Sequence, residues 1–574
     1  MTGTGNKAAG GEFLLTGPRF ETPNPDTFDD ARLSLREGAR LSVRKNVLPL
    51  RGRLEAHDYE SLASALKSFA DDGFLGAEIP EEYGGAGLGL IESALIAEGI
   101  GMSGDASFGV TVGAHAGIGC WPVMLFGNDE QRRKYLPRFA DASMPAAYCL
   151  TEPSSGSDAL SAKLKAEPTA DGTGYVLNGE KMFISNAGIA RLFTVFAKVN
   201  GRPAVFLVEG DAAGVTIGKE EHKMGLWGSS TCSVSFQDVL VPKENLVGES
   251  GKGHKIVMNT LNLGRFKLGA GCLGAMKYAL RMSVRYAAER RQFGRPIIEF
   301  DAIRAKIADM AADIWVGEAM VYRLAGLLET AESVEEFEVE CAIVKTALSE
   351  MLWRAANTAV QIHGGLGYIL EGEDNPARLL LDSRINLIFE GTNEINRLHV
   401  VGTLLKRAMS GRLDIGFTPA PGWTERDDWE GKASSLVDAA KLSTQFALRQ
   451  SGARLGAAYV MAAAGDLKKA QAEMMAKEQR ILFAIADMCM LTYALDAAEW
   501  RGRSAASETF GFAASDELFR LHHLVAPHVF RGPDASHFGA EKMAREFFLS
   551  RPSAAAFIRY PQAAADQAIK EILG

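Results

Sequence analysis

The 574-residue sequence has few of the residues that mark secreted, metal-binding or membrane-spanning proteins. Its six cysteines are scattered and form no CxxC pair, which is typical of a reduced compartment where cysteines act as small buried hydrophobic residues. Its ten histidines form no HxxxH or similar pair, so no metal site is predicted. Apolar runs such as 481–490 are far shorter than a membrane span, and that run includes Asp487.

Positive charge is not in excess either. Lysine and arginine number 62 against 71 aspartates and glutamates, which gives a net charge of −9, so nucleic acid is a poor candidate partner. The first 17 residues are rich in Gly and Thr and lack the pattern of a signal or transit peptide. We therefore expect a cytoplasmic protein of a bacterium. Peripheral contact at the inner membrane stays open, because residues 436–455 are amphipathic and mildly basic, although packing onto the protein core is favoured.

The chain is too long for one core and is predicted to be an α+β multidomain protein. Asn178-Gly179 and Asn200-Gly201 each separate two apolar runs, which predicts two hairpins in a middle antiparallel β-barrel or sandwich. Helical periodicity dominates before and after it. The predicted segments are a disordered or extended tail at 1–27, an N-terminal helical domain at 28–145, a β-barrel domain at 146–252, a four-helix bundle at 253–410, a linker at 411–431 and a C-terminal helical domain at 432–574.

The most informative carboxylate is Glu390, which follows three apolar residues and precedes Gly391. Partial desolvation would raise its pKa toward the range of a general base. Gly391 would let a bound molecule approach the backbone closely. A helix cap or a solvated loop residue is the alternative interpretation of this run.

Two runs near the predicted barrel suggest a bound phosphate and a flat ring. Tyr148–Asp158 leads from an apolar strand into a turn dense with hydroxyls and backbone N–H groups, although an ordinary Ser/Gly turn would look the same. In the second run, Phe183 and Ser185 lie two apart on a strand and therefore face one side. Phe183 could stack on a heterocycle and Ser185 could donate to it, or Phe183 could belong to the barrel core.

Two further runs lie in the predicted bundle, at Glu289–Gly294 and Gln361–Gly367. Each has a simple alternative, a basic cluster with a C-cap glycine and a helix that ends in glycine, respectively. In their order and spacing, the five runs resemble the acyl-CoA dehydrogenase family over residues 40–410. The C-terminal residues beyond this core resemble the extension of the very-long-chain branch, which Asn262–Phe266 and Phe389–Asn393 also match.

The resemblance implies a role for each matching residue. Glu390 matches the base that removes the α-proton of an acyl-CoA thioester, while the β-hydrogen leaves as hydride to flavin. The positions matching FAD contacts are Tyr148, Leu150, Thr151, Gly156, Ser157, Phe183, Ser185, Arg290, Gln292, Phe293, Gln361, Gly364, Gly365, Thr392 and Glu394. Those expected to bind substrate are Ser157, Asn262, Arg265, Phe389 and Gly391.

The resemblance also implies the reaction and the partners. It implies FAD-dependent α,β-dehydrogenation of a long-chain fatty acyl-CoA to the trans-2-enoyl-CoA in β-oxidation, with electrons passing to an electron-transferring flavoprotein. Ala114 stands where a medium-chain relative closes its pocket floor with Glu, which favours a deeper acyl channel. The extension implies a homodimer. An acyl-CoA oxidase, or a dehydrogenase-like scaffold for assembly of a partner complex, is the alternative.

Overall fold

The computed structural model describes residues 10–15, 23–415, 436–452, 457–463, 466–502 and 553–573, with a few isolated positions between 510 and 525. The chain forms two compact units. The sheet-bearing unit comprises Phe28–Tyr278 and Tyr368–Glu390, and the helical unit comprises Met1–Thr27, Ala279–Gly367 and Gly391–Gly574.

The sheet-bearing unit begins with helices whose starts are fixed by capping side chains. Asp29 accepts a hydrogen bond from the Arg32 N–H at the start of the first helix, and Asn128 forms a capping box with Gln131 at the start of the seventh. The helices are α1 Asp30–Asn46, α2 Arg51–Glu55, α3 Tyr59–Asp71, α4 Leu90–Ser103, α5 Ala106–Val112, α6 Trp121–Phe126 and α7 Asp129–Ala140. A π-helical segment, Gly113–Gly119, lies between α5 and α6.

One sheet follows, with strands β1 Ala146–Cys149, β2 Lys165–Pro168, β3 Gly174–Ser185, β4 Leu192–Val199, β5 Arg202–Glu209, β6 Val215–Glu220, β7 Thr231–Pro242 and β8 Leu246–Val247. Its order is β6-β7-β3-β2-β4-β5-β8, and β1 pairs with β4. Most pairs are antiparallel, but β1 and β2 each run parallel to β4, so the expectation of a purely antiparallel domain is wrong for those pairs.

The two predicted hairpins have different outcomes. Asn200-Gly201 joins β4 and β5, and both residues have positive φ (50° and 77°), as the tight hairpin turn requires. The hairpin at Asn178-Gly179 is wrong, because both residues lie inside β3 at a shift in its register with β7. A Cβ at Gly179 would lie 2.9 Å from the Leu164 side chain, so the glycine there permits close packing.

Five helices occupy the region predicted as a four-helix bundle. They are α8 Gly253–Glu289, α9 Asp301–Thr330, α10 Glu338–His363, α11 Pro376–Ser383 and α12 Asn393–Met409. The C-terminal region adds α13 Leu436–Gln450, α14 Ala457–Ala462, α15 Leu467–Lys477, α16 Gln479–Arg501 and α17 Ser553–Leu573. Within the helical unit α16 packs on α9, α10, α12 and α13. Most of the predicted linker, 416–431, lies outside the described residues.

Residues 10–15 differ from the predicted tail. Glu12–Leu14 form a short 3-10 helix with Phe13 and Leu14 buried. The Gly11 N–H donates to Glu340 Oε1 at 2.6 Å, and Lys441 Nζ donates to the Leu15 carbonyl at 3.1 Å. The prediction failed because these partners lie hundreds of residues away in sequence.

Two helical stretches of the described chain have the length and apolar content of a membrane span, Ala106–Phe126 and Gln479–Arg501. Of their apolar windows, 56% and 83% are buried inside the protein. Core helices of a folded domain have the same composition, and burial to this degree favours that interpretation.

Candidate active site

Glu390 lies on strained backbone between α11 and α12. Its φ is +58°, and that of Gly391 is +83°. A non-glycine residue in this region costs about 1–3 kcal/mol and persists only where its surroundings hold it. Gly391 adopts a positive φ without this cost because it has no Cβ. Glycine is therefore needed at position 391 for the backbone conformation, in addition to the close approach that the sequence suggested.

Arg265 on α8 holds the main chain of Glu390. Its Nε donates to the Glu390 carbonyl at 3.1 Å, and its Nη1 donates to Asn262 Oδ1 at 2.9 Å. Arg265 is 4% exposed and Asn262 is fully buried. Two of the residues predicted to bind substrate thus bond to each other, and Arg265 also bonds the main chain of Glu390, which suits a positioning role for Arg265.

The carboxylate of Glu390 lies against the backbone of α8 at Gly264. A Cβ at Gly264 would be 2.8 Å from Glu390 Oε2, closer than real Cβ contacts. Burial, and then the charge of Glu390, raise the pKa of the Tyr148 hydroxyl near the end of β1. That buried hydroxyl has no hydrogen-bond partner among the described residues, which suits a site completed by a bound group.

The predicted ring-binding residues lie near the C-terminal ends of β1 and β3. Leu150 and Thr151 follow β1, and the Met182 N–H of β3 donates to the Thr151 carbonyl at 2.9 Å. Phe183, next on β3, is 56% exposed and has a φ of +57°. An exposed aromatic ring on strained backbone is no part of a core, so the alternative of Phe183 as barrel core is wrong. Ser185, two residues on, is half-buried.

The predicted phosphate turn is exposed and internally bonded. Gly156 and Ser157 lie on the surface, and Ser155 Oγ donates to the Asp158 carbonyl at 2.6 Å. Bonds within a Ser/Gly turn are compatible with both interpretations of this run. Its role toward a phosphate therefore stays a prediction.

The matching residues of the helical unit lie on turns and helix ends. Arg291–Gln292 pairs with Arg295–Pro296 in a small hairpin, so the expected C-cap glycine at Gly294 is instead a turn residue beside Phe293, which is 94% exposed. Gln361 is exposed near the end of α10, where Gly364 has a φ of +60° as in a glycine-ended helix. Arg290 and Gly365 are exposed in these same segments.

Thr392 caps the N-terminus of α12 through its hydroxyl, which accepts from the Ile395 N–H at 3.3 Å. Glu394 is exposed in the first turn of that helix. Phe389, on the other side of Glu390, is half-buried. The structure thus places Phe389 before Glu390 on partly buried chain, and Thr392 and Glu394 after it at the start of α12.

Sequence reasoning missed Lys345, which is fully buried on α10. Its Nζ donates to the Gly391 carbonyl at 2.8 Å and to Asn393 Oδ1 at 2.6 Å. The only signal was a lysine inside a helix stretch, Cys341–Leu348, whose other residues are apolar except Thr346. Lys345 thus fixes the main chain that follows Glu390.

A carboxylate on strained backbone, a buried phenol without a partner among the described residues and an exposed aromatic side chain on a strand are compatible with a flavin-dependent oxidoreductase that acts on CH–CH bonds. Comparisons with known proteins agree. Models of the acyl-CoA dehydrogenase N-terminal, middle and C-terminal domains match residues 29–143, 147–239 and 251–405. The chain belongs to the acyl-CoA dehydrogenase family, and FAD is its cofactor.

The similar proteins include one of nearly the same length. A probable acyl-CoA dehydrogenase of Bacillus subtilis is 40% identical over 517 residues, covering 86% of this chain and 85% of that protein. The mouse very long-chain specific acyl-CoA dehydrogenase is 42% identical over 361 residues, 61% of this chain and only 53% of the relative. The crystal structure of a Bacillus anthracis acyl-CoA dehydrogenase complexed with FAD has a TM-score of 0.87 at 37% identity and covers 98% of this chain and 99% of that one.

Proposed function

We propose that this protein oxidises long-chain acyl-CoA to trans-2-enoyl-CoA in fatty acid β-oxidation, with Glu390 as the base that removes the α-proton. The observation that carries the proposal is the environment of Glu390. Its carboxylate lies against Gly264, and Arg265 donates a hydrogen bond to its carbonyl. FAD, when bound, supplies the hydride acceptor for the β-hydrogen. Glu390 supports the proton step because its backbone is fixed while its carboxylate faces a helix surface with no side chain at position 264.

The residues that would hold FAD fit a flavin by their surroundings. Phe183 offers an exposed ring for stacking, and Tyr148 offers a buried hydroxyl that lacks a partner within the described chain. Leu150, Thr151 and Ser185 lie on the connected strand ends. In our proposal these groups orient the ring and exclude water from it.

Long-chain preference is supported by the segment before α6. Ala114 is buried in a π-helical segment that includes Gly113, Gly117 and Gly119, and a Cβ at Gly113 would meet nothing within 4 Å. Irregular helical turns of this kind occur at functional sites. In our proposal the acyl chain extends past this segment, where a medium-chain relative has Glu in place of Ala114.

The test is a visible spectrum of the purified protein followed by addition of acyl-CoAs of increasing chain length. We expect bleaching of bound flavin that is faster with palmitoyl-CoA than with butyryl-CoA, and the reverse order would exclude the long-chain proposal. Glu390→Gln should keep the flavin colour and abolish bleaching, since the amide keeps the shape and loses basicity. A variant that still bleaches at the native rate would remove Glu390 from the mechanism.

The same preparation separates the alternatives. Reoxidation by an electron-transferring flavoprotein without hydrogen peroxide supports the dehydrogenase, whereas rapid peroxide release in air indicates an oxidase. A protein that holds no flavin and is not bleached would leave the scaffold alternative.

We also propose a homodimer, a closed barrel in the middle domain and a cytoplasmic location. Phe293 at 94% and Leu366 at 60% exposure are apolar side chains in two of the segments that match FAD contacts, and exposed apolar side chains often mark subunit interfaces. Light scattering at the mass of two chains is the expected result. A mass near four chains would contradict it.

A further inference from the structure

A buried ion pair lies behind the strand ends that the proposed function assigns to the flavin. Lys181 Nζ lies 2.8 Å from Glu152 Oε1, and their side chains are 0% and 4% exposed. The ammonium also lies 5.6 Å from the ring centre of Phe196 on β4. Charged side chains are almost never buried to this degree without a specific set of partners.

The partners of this pair are the main-chain groups of the cofactor-facing runs. Lys181 Nζ donates to the Leu150 carbonyl at 2.9 Å. Glu152 accepts from the Leu164 N–H at 2.9 Å and from the Lys163 N–H at 2.5 Å. The pair therefore ties the segment after β1 to β3 on one side and to the segment before β2 on the other.

The Lys181–Glu152 ion pair lies directly beside strained backbone. Phe183 follows Lys181 by two residues and has a φ of +57°, and the register of β3 against β7 shifts between Lys181 and Ile184. A bulge of this kind turns a side chain out of the regular alternation of a strand. It persists only when neighbouring contacts fix it. Lys181 on one side, and the pairing of Ser185 with Thr231 on the other, supply those contacts.

We propose that the Lys181–Glu152 pair is a positioning element that sets Leu150 and Thr151 against Phe183 before FAD binds. Neither residue contacts the flavin or the substrate in this proposal, since both act through the main chain. The inference rests on the proposed assignment of Leu150, Thr151 and Phe183 to the flavin site. It differs from a purely stabilising role, because an apolar pair of similar volume is often as stable as a buried ion pair and yet could not bond the Leu150 carbonyl.

The test uses two variants and a matched control. Lys181→Met removes the ammonium and keeps the side-chain stem. Lys181→Met combined with Glu152→Gln removes both charges, so a buried unpaired carboxylate no longer contributes. Lys134→Met is the control, because it breaks another Lys–Glu pair of the same unit (Lys134 with Glu209, 2.9 Å) whose side chains are 51% and 40% exposed.

The readouts are the absorbance spectrum of bound flavin, its reduction potential and the Kd for FAD of the apoprotein. We expect both Lys181 variants to bind FAD at least tenfold more weakly and to show a shifted spectrum, with Lys134→Met unchanged. Recovery of native FAD affinity and spectrum in the uncharged double variant would overturn the inference, because charge burial alone would then explain the single variant. Native values in Lys181→Met would do the same.

A measurement on the unaltered protein covers the case in which the variants do not fold. The Met182 N–H, which donates to the Thr151 carbonyl, should be equally protected from hydrogen exchange with and without FAD. Loss of that protection on FAD removal would show that the cofactor itself orders the strand ends, and would overturn the inference. If the native protein holds no flavin, the proposed function fails first, and the two failures are thereby distinguished.

Discussion

Gly264→Ala is expected to slow proton abstraction without weakening the fold. The added methyl group would lie 2.8 Å from Glu390 Oε2, 3.0 Å from its Cδ and 3.2 Å from Oε1, whereas ordinary contacts begin at 3.4 Å. The carboxylate must therefore move by about 0.6 Å or more, and a displacement of about 1 Å at a reacting group costs roughly 100-fold in rate. We expect flavin bleaching by acyl-CoA to slow by roughly 10- to 100-fold.

The free energy of unfolding should stay close to that of the native protein. Alanine is favoured over glycine inside a helix by about 1 kcal/mol, which offsets the strain of the new contact. Gly271→Ala on the same helix is the matched control, since among the described residues its added Cβ would approach only the Ala97 carbonyl oxygen, at 4.0 Å. The assay is single-turnover bleaching beside a thermal melt of each variant. Equal bleaching rates in the two alanine variants would refute the placement of the Glu390 carboxylate against α8.

Three further predictions test other parts of the structure. Arg265→Lys keeps the charge but cannot bond both the Glu390 carbonyl and Asn262, so it should lower stability by about 1–3 kcal/mol and slow bleaching; native values in both assays would contradict its positioning role. Burial raises the pKa of Asp382 to about 7, so the folded state holds a proton that the unfolded state releases, and this group costs stability as pH rises from about 4 to 7. The free energy of unfolding of Asp382→Asn, measured in urea, should therefore rise relative to that of the native protein by up to about 1.4 kcal/mol per pH unit across that window. A difference between the two proteins that does not change with pH would contradict this prediction. Phe13→Ala removes a ring packed edge-on against Tyr493 at 5.3 Å and should cost about 3–5 kcal/mol, seen as faster proteolysis of the chain after residue 436; unchanged proteolysis would argue against docking of this segment.

Local sequence patterns predicted correctly those features of the fold that depend only on neighbouring residues. Asn200-Gly201 gave the correct hairpin because the turn needs only two residues with positive φ. Asn178-Gly179 carries the same signal, yet it lies within β3, where pairing with β7 continues past the shift. Pairing between β3 and β7 overrode the turn propensity of Asn-Gly there, and the local pattern alone does not show which of the two will prevail.

The site shows the same division. Glu390 and its glycine are adjacent in sequence, so their chemistry could be read from one run. Arg265 holds the Glu390 carbonyl from 125 residues away, and a role at the substrate was inferred for it by resemblance alone. Lys181 and Lys345 were missed because a lysine in an apolar stretch gives no sign of which carbonyl it will meet.

Docking of residues 10–15 has a consequence for how the protein is made. Leu15 and its partner Lys441 are separated by 426 residues, so Leu15 leaves the ribosome long before Lys441 exists. At about 5–20 residues per second the delay is roughly 20–90 s. During that time Phe13 and Leu14, both buried in the finished protein, have nowhere to pack and are available to chaperones. Packing of this segment on α13 and α16 must therefore wait until those two helices have been made.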